Sequence, residues 1–223
     1  MSRPSLVRQL HRAISVAARQ RAAAIKQFGR TVGLVHFGSV DQHTDEHEAI
    51  HGFTASLSHN DSHYMVGTYN GYNIRFVDRF DVIKSHGKRH EQTWALLEIE
   101  LESHSIPHTL FIPTGKEAGE YSRVYATQLH LHPLNSMIFA NHSPEFHGRF
   151  QILANPTHAQ KVSELFTSPL IVGIASRFWP HAIELEHNKL IVYITEHRLT
   201  KTVLESTLAS ALWLAEAIDS TRD

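Results

Sequence analysis

Cysteine is absent from the 223-residue sequence, and this absence excludes several kinds of chemistry together. Without a thiol we expect no disulfide, no zinc-thiolate site, no iron–sulfur cluster and no cysteine nucleophile. Long apolar runs are lacking too: no stretch approaches the roughly 20 apolar residues of a membrane span or the uninterrupted core of a secretory signal. We therefore expect a soluble cytoplasmic protein, peripheral to a membrane at most.

Acidic residues are missing from residues 1–40, so this segment has a charge of +7. The remaining 183 residues carry 14 basic and 22 acidic side chains, and the whole chain has a net charge of −1. A chain of this balance has no overall attraction for nucleic acid, which we therefore do not expect as a partner. The basic residues of the segment are Arg3, Arg8, Arg12, Arg19, Arg21, Lys26 and Arg30.

A nucleophile elbow and a phosphate-binding loop are missing as well. The sequence contains no GxSxG nucleophile elbow, but HEAIH at residues 47–51 has the HExxH spacing, in which His47 and His51 could share an ion on a helix. Thr114-Gly115-Lys116 is a single Gly-Lys pair without the glycine-rich loop that cradles phosphates. Whether the chain is an enzyme is therefore left open by the sequence, and the balance favours a protein without catalytic activity.

A basic amphipathic helix is predicted over residues 5–28, which contain no glycine or proline and have Gly29 as the expected end. At 100° per residue the apolar positions gather on one side, and a ridge of basic residues lies opposite or beside them. Such a ridge could bind a protein partner or an anionic membrane surface, or it could be the solvated side of a helix packed on its own domain. The ridge consists of Arg8, Arg12, Arg19 and Lys26.

Strand patterns dominate the middle of the chain. Asn70-Gly71 between two β-type runs predicts a hairpin at 64–78, and a second hairpin is predicted to turn at 187–189. Further strands are predicted at 93–101, at 108–113, across RVYATQLHLHPL up to Pro133, and at 150–153. Strands grouped in this way predict an α+β class: a mainly antiparallel, hairpin-built sheet with helices packed on one face and a basic N-terminal helix.

Helices are predicted after the first group of strands and at the end of the chain. One covers 157–166, where Thr157 and Gln160 have the spacing of a capping box, and another starts at Ser168. The closing helix has the same spacing in Thr202 and Glu205 and a wide apolar face. We divide the chain into a basic helix (1–30), a His/acidic connector (31–63) and an α+β domain (64–219).

The apolar pattern of the α+β domain resembles that of a group of bacterial domains of unknown function, the DUF3137-like type. The resemblance lies in TWALLEIEL and IPHTLFIP, in FHGRFQILANPTHAQKVSELFTSPLIVGIAS, and in the hairpin and helix from ELEHNKLIVYIT to LASALWLAEAI. It covers about residues 65–219 and rests on architecture. It implies a strand, a helix, a hairpin and a closing helix in that order, and it assigns no catalytic residue.

Histidine is the enriched residue, with 19 copies, and it raises the question of a metal site. In VDQHTDEHEAIH, residues 40–51, His43 and His47 are one helical turn apart and could share an ion. The later SLSHNDSH would supply His59, Asp61 and His63, a ligand set suited to a divalent transition metal such as zinc. The alternative is an ordinary solvated loop.

A second candidate metal pair is His130 and His132, which would point to the same face of a strand. His142 or His147 would complete the site, and the alternative is an exposed edge strand. The histidines together could also act as a proton switch for homo-oligomer assembly near their ordinary pKa of about 6.5.

The sequence thus favours a non-catalytic binding domain that uses residues 5–28 on a partner or an anionic surface. The alternatives are a His/Asp metal-binding protein, which includes a metal-dependent enzyme, and a protein whose assembly responds to pH. The three hypotheses assign the function to different segments of the chain. The position of each segment in the fold therefore helps to decide between them.

Overall fold

The computed structural model describes residues 6–40, 50, 60–85, 88–102, 105–115, 130–134, 144–195 and 199–222. Within these residues an antiparallel sheet of nine strands is combined with five α-helices, which confirms the predicted α+β class. The strands are β1 Val35–Val40, β2 Asn60–Tyr69, β3 Tyr72–Ser85, β4 Lys88–Glu100, β5 Ile106–Pro113, β6 His132–Pro133, β7 Phe150–Ala154, β8 Ala182–His187 and β9 Lys189–Ile194.

The helices are α1 Leu6–Val32, α2 Pro144–Arg149, α3 Ala159–Leu165, α4 Ser168–Phe178 and α5 Lys201–Asp219. Two 3-10 turns, Pro156–His158 and Ser220–Arg222, adjoin α3 and α5. Strands β1 to β4 follow one another across the sheet, and the full order is β1-β2-β3-β4-β9-β8-β5-β7-β6. The last hairpin of the chain, β8–β9, therefore lies in the middle of the sheet, where β9 pairs with β4 and β8 pairs with β5.

Both predicted hairpins are confirmed. Tyr69 pairs with Tyr72 across the turn of β2–β3, where Asn70 and Gly71 have φ angles of 51° and 87°. Positive φ at both central residues is what a two-residue turn of type I′ requires, and Asn-Gly adopts it most easily. The turn of β8–β9 follows His187, whose φ is 57°.

Helix α1 continues past Gly29, its predicted end, for three more residues to Val32. Gly33, with a φ of 80°, ends the helix instead, and the Leu34 N–H donates to the Gly29 carbonyl at 2.8 Å, as in a Schellman motif. Gly29 has a packing role: a Cβ there would lie 2.4 Å from Sδ of Met65 in β2. The sequence could not distinguish a glycine that ends a helix from one that lets a strand approach it.

The predicted capping residues are wrong at two helices. Thr200, two residues before Thr202, is the N-cap of α5, and its hydroxyl accepts a hydrogen bond from the Val203 N–H. Asn155 caps the 3-10 turn before α3 in the same way, by accepting from the Thr157 N–H. In both places a polar residue just upstream takes the capping role because its backbone is already extended there.

The sheet has two unlike faces. On the helix-covered face, strand residues such as Phe76, Leu97 and Phe111 pack against the five helices in a large apolar core. On the opposite face a smaller core is built around Trp94 and Tyr193. The smaller core also contains Val77, Leu96, Leu110 and Leu153 of the sheet, together with Ile50 and Leu131 from the connections before β2 and β6.

The predicted division at residues 1–30, 31–63 and 64–219 stays a prediction. Helix α1 and strand β1 are packed with the rest of the described fold: Ile25, Phe28 and Val32 lie in the helix-covered core, and β1 pairs with β2. Within the described residues, no helix is both long and apolar enough to cross a membrane.

Candidate functional site

Helix α1 is attached to the sheet through its C-terminal half. The Arg21 guanidinium donates to both carboxylate oxygens of Asp78 in β3, the shortest contact being 2.7 Å, and the Phe28 ring lies 5.7 Å from that of Phe76. Further toward the N-terminus, residues 16–20 are all exposed. Arg21 is thus a docking residue and does not belong to the solvent-facing basic ridge.

The four residues of the predicted ridge lie along this one helix. Arg19 and Lys26 are exposed, and Arg8 and Arg12 lie in its first two turns, ahead of the side chains that the structure describes. Whether the ridge binds anything is not tested by the fold. The fold does show that the end of α1 carrying Arg8 and Arg12 is the end farther from the docked residues.

The first predicted metal site falls mostly outside the described residues, which do not include His43, His47 or His59. Asp61 is buried in β2, where both of its carboxylate oxygens accept hydrogen bonds from Arg79, each at 2.8 Å. The ring of His63 instead lies against His36 of β1, with Nδ1 and Nε2 3.0 Å apart. A register shift between Ser62 and Met65 separates the surroundings of Asp61 and His63.

The second predicted pair is placed at and just before β6. His132 is exposed and pairs through its backbone with Ala154 of β7. His130 precedes the buried Leu131, and its ring lies against another histidine, His108, with Nε2 3.1 Å from Nδ1 of His108. His147 is exposed in α2, and His142 lies outside the described residues. Metal binding by the predicted pair stays a prediction.

His108 is the centre of a polar cluster on the opposite face. Its Nε2 lies 2.7 Å from Oε1 of Glu184 in β8, and the Tyr193 hydroxyl of β9 donates to Oε2 of the same carboxylate. Glu186, two residues along β8, has an Oε1 3.6 Å from Nδ1 of His108. We call His108, His130, Glu184 and Glu186 the His/Glu cluster. One histidine lies in β5 and the other two residues before β6, and both carboxylates come from β8.

The local structure of β5 explains why His108 reaches this position. A register shift between Ile106 and Thr109 interrupts the pairing of β5 with β8, and Pro107 at the shift has no N–H to contribute to the ladder. The Thr109 hydroxyl donates to the Pro107 carbonyl at 2.9 Å and so stabilises the irregular backbone. Irregularities of this kind change the direction of nearby side chains and are frequent near binding sites.

The electrostatics of the cluster favour a proton on His108. Burial, the strongest influence on the His108 imidazole, lowers its pKa, but the hydrogen bond to Glu184 and the negative charges of Glu184 and Glu186 outweigh it. The pKa of His108 is therefore raised above its ordinary value of 6.5. His181, buried without such partners, shows the reverse, since burial alone lowers its pKa to about 4.

The sequence missed His108, Glu184 and Glu186 and included His130. Glu184 and Glu186 alternate along a strand and so had to share a face, and His108 alternates with the core residue Leu110. This alternation was the available signal. It carries no information on which strands are neighbours. In the described part of the chain, β5 and β8 are separated by five other helices and strands and by the 3-10 turn before α3.

Comparisons with known proteins give one structural relative and no family. No protein-family model matches the chain, and no curated protein sequence matches it. Among solved structures the fold is similar to the crystal structure of the mycobacterial trehalose monomycolate transport factor A, TtfA. The TM-score is 0.59 at 8% sequence identity, with 90% of this chain and 95% of that chain covered. At this identity the likeness shows a shared fold.

Proposed function

We propose that this protein is a non-catalytic binding domain that attaches to an anionic membrane surface through the N-terminal half of helix α1. The observation that carries the proposal is that α1 is held on the sheet through its C-terminal half. Arg21, Ile25, Phe28 and Val32 hold its C-terminal half on the sheet, while residues 16–20 are exposed. The helix is about 40 Å long at 1.5 Å per residue, so its basic end can reach well beyond the docked residues.

Charge makes an anionic surface the matching ligand. Residues 1–40 have seven basic and no acidic residues, although the chain as a whole is slightly negative. A basic amphipathic helix can lie in the interface of a bilayer with its apolar side buried and its Arg and Lys side chains near the head groups. Each such cation near an anionic surface contributes about 1 kcal/mol.

The structural relative supports a binding role in a limited way. The name of TtfA attributes a transport function to that protein, and that name, carried over to this chain, favours binding over catalysis. The absence of a GxSxG elbow and of a glycine-rich phosphate loop from the sequence agrees with the same choice. Neither observation identifies the ligand. The positive charge of residues 1–40 indicates its class, an anionic surface.

The test is co-sedimentation of the full chain with vesicles of phosphatidylcholine alone or mixed with phosphatidylglycerol. We expect binding only to the anionic vesicles, and weaker binding as salt is raised, because salt screens surface charges. The double variant Arg8→Gln/Arg12→Gln should bind about 30-fold more weakly, since two contacts of about 1 kcal/mol are lost.

The matched control is Arg30→Gln/Lys161→Gln, which removes the same charge from two exposed positions, one at the docked end of α1 and one on α3. This variant should bind within about twofold of the wild type, because its charges are not in the proposed contact. Equal loss in both double variants would mean that net charge alone is responsible and would overturn the proposal. Failure of the wild type to bind anionic vesicles would overturn it too, and would make a protein partner the next ligand to test.

A further inference from the structure

A cavity of about 360 Å³ lies between the C-terminal end of α1, the turn of β2–β3 and the helix α5. Its volume is in the range of roughly 300–1,000 Å³ that is usual for small-molecule sites. We infer that this cavity binds a small organic cation, which consists of an ammonium group attached to an apolar body. The inference is independent of the membrane proposal, because no residue of the N-terminal half of α1 lines the cavity.

The cavity has an apolar floor and aromatic side chains in its lining. Val32 of α1 lines it together with Leu208 and Leu212 of α5, and all three are buried members of the helix-covered core. Tyr69 at the β2–β3 turn and Trp213 of α5 supply the aromatic rings. An apolar group that enters the cavity is therefore removed from water, which is favourable. Aromatic rings also attract ammonium groups through the negative charge of their faces.

The Trp213 side chain is held in place by α4. A Cβ at Gly173 would lie 2.2 Å from Cη2 of the Trp213 ring, so the ring packs directly on the backbone of that helix. The Arg177 guanidinium lies over the same ring, 4.6 Å from its centroid, and Arg177 does not line the cavity. These two contacts fix one wall of the cavity before a ligand binds. Binding then orders fewer side chains and has a smaller entropic cost.

The charged part of the lining is negative. Glu205 and Glu216, both on α5, line the cavity, and none of the described Lys, Arg or His residues does so. Glu205 is paired with Lys201, whose Nζ lies 3.2 Å from its Oε1. Glu216 is exposed, and the described residues give it no cationic partner. Glu216 is therefore the carboxylate that we assign to the ammonium group of the ligand.

Tyr72, at the start of β3, shows that negative charge dominates at this end of α5. Its hydroxyl lies 3.1 Å from Oδ2 of Asp219. Burial and the nearby charges of Asp219, Glu216 and Glu102 raise the pKa of Tyr72 to about 12, and burial has the largest effect. Negative charges that disfavour a phenolate favour a cation at the same place. The cavity thus combines an apolar floor with a negative potential, which matches an apolar ammonium compound.

The experiment is an NMR titration of the isotope-labelled full chain with three probes that share one skeleton: phenylbutylammonium, neutral phenylbutanol and anionic phenylbutyrate. We expect resonance shifts in α5, in the end of α1 and in the β2–β3 turn. The ammonium probe should bind about fivefold more tightly than the alcohol, which is the upper range for an exposed ion pair. The carboxylate probe should bind more weakly than both.

Glu216→Gln removes the charge and keeps the shape of the side chain. It should lower the preference for the ammonium probe over the alcohol from about fivefold to less than about twofold, and leave the affinity for the alcohol unchanged. Glu164→Gln is the matched control, because it makes the same change at an exposed position of α3 that does not line the cavity. It should leave the affinities for all three probes unchanged.

Ala209→Phe tests the position of the probe, because Ala209 is an exposed residue of α5 that lines the cavity. The larger side chain should fill the cavity and abolish the binding of all three probes. Ala23→Phe makes the same change at an exposed position of α1 outside the lining and should have no effect. Circular dichroism of both variants checks that the fold is retained.

Four results would overturn the inference. The first is a wild type that binds none of the probes, and the second is equal affinity for the ammonium probe and the alcohol, which would show a cavity without charge selectivity. The third is binding that persists in Ala209→Phe. The fourth is a wild type that is dimeric while Ala209→Phe is monomeric, since a second copy of the chain would then fill the cavity. Vesicle binding by Ala209→Phe should be normal, so the failure of one proposal does not affect the other.

Discussion

Both faces of the sheet contain buried side chains, but the chemistry of these side chains differs between the two faces. The helix-covered face is an apolar core of aliphatic and aromatic side chains from the strands and all five helices, with Asp78 paired to Arg21 beside it. The opposite face also buries Trp94, Tyr193 and several aliphatic residues, but it adds charged groups among them. Those nearly fully buried are Asp61, Arg79, Asp81, Glu98 and Glu184.

Buried apolar side chains and buried charged side chains affect the fold in different ways. Burial of hydrocarbon stabilises any arrangement that excludes water, and its contribution depends on the area removed from water. Buried charges tolerate only arrangements in which each has a partner, since an unpaired charge in the interior is costly. The helix-covered face has the larger set of buried apolar side chains and therefore contributes more apolar burial. On the opposite face, each buried charge needs a specific partner. This requirement restricts which polar side chains lie together there.

The largest expected effect comes from breaking the Arg79–Asp61 pair. Asp61→Ala leaves the Arg79 guanidinium, which is fully buried, without this carboxylate, and we expect a loss of about 3–5 kcal/mol in the free energy of unfolding. The measurement is urea unfolding followed by circular dichroism.

The control is the double variant Asp61→Leu/Arg79→Met, which replaces both charges with apolar groups. It should recover most of the stability, because replacing a whole buried pair is often neutral. A double variant as unstable as Asp61→Ala would show that the pair is needed for more than mutual neutralisation, and the contrast between the two faces would then be smaller than described above.

A smaller effect is expected from pH at His181, the buried histidine whose pKa is lowered to about 4 by burial. The unfolded chain, with a pKa of 6.5 at this residue, binds the proton more readily between these values. The stability contributed by neutral His181 is therefore complete above pH 6.5 and is lost as the pH falls toward 4. The loss should be about 2 kcal/mol at pH 5.

The measurement is the free energy of unfolding at pH 7.5 and pH 5.0 for the wild type and for His181→Asn. The variant should lose about 2 kcal/mol less than the wild type between these values. Equal losses would mean that His181 is protonated in the folded protein, and that the contrast with His108, whose pKa the carboxylates raise, does not hold.

The smallest effect is expected at the N-terminus of α5, on the helix-covered face. Thr200→Ala removes the hydroxyl that accepts from the Val203 N–H and should cost about 1 kcal/mol. Thr202→Ala, at the position that the sequence favoured, should change stability by less than about 0.5 kcal/mol. Thermal or urea unfolding of the two variants decides between the two caps, and a larger loss for Thr202→Ala would restore the sequence-based assignment.

Local features were predictable from the sequence to different degrees. The hairpin at Asn70-Gly71 was confirmed because its signal, two residues that accept positive φ, depends on adjacent positions alone. The end of α1 and the cap of α5 were wrong by a few residues, because neighbouring glycines or threonines offered equivalent signals. The structure distinguishes the two glycines by the packing of Gly29 on Met65. It distinguishes the two threonines by the extended backbone at Thr200.

The candidate sites were predictable to a smaller degree. Asp61 was predicted as a metal ligand, yet it lies with Arg79, a partner 18 residues away on the neighbouring strand. His108 and Glu184 are 76 residues apart and meet because β5 lies beside β8. Alternation along a strand assigns a side chain to a face, but the order of strands in the sheet decides which side chains on that face are neighbours.

The sequence by itself determined the α+β class, both hairpins and the separation of a basic segment from an acidic body, because periodicity, turn residues and charge are read from nearby positions. The tertiary structure alone decided that Arg21 docks α1 on Asp78 and that His108 lies between Glu184 and His130. The physical reason is that long-range pairing depends on the summed burial of the whole sheet, to which no single residue pattern corresponds.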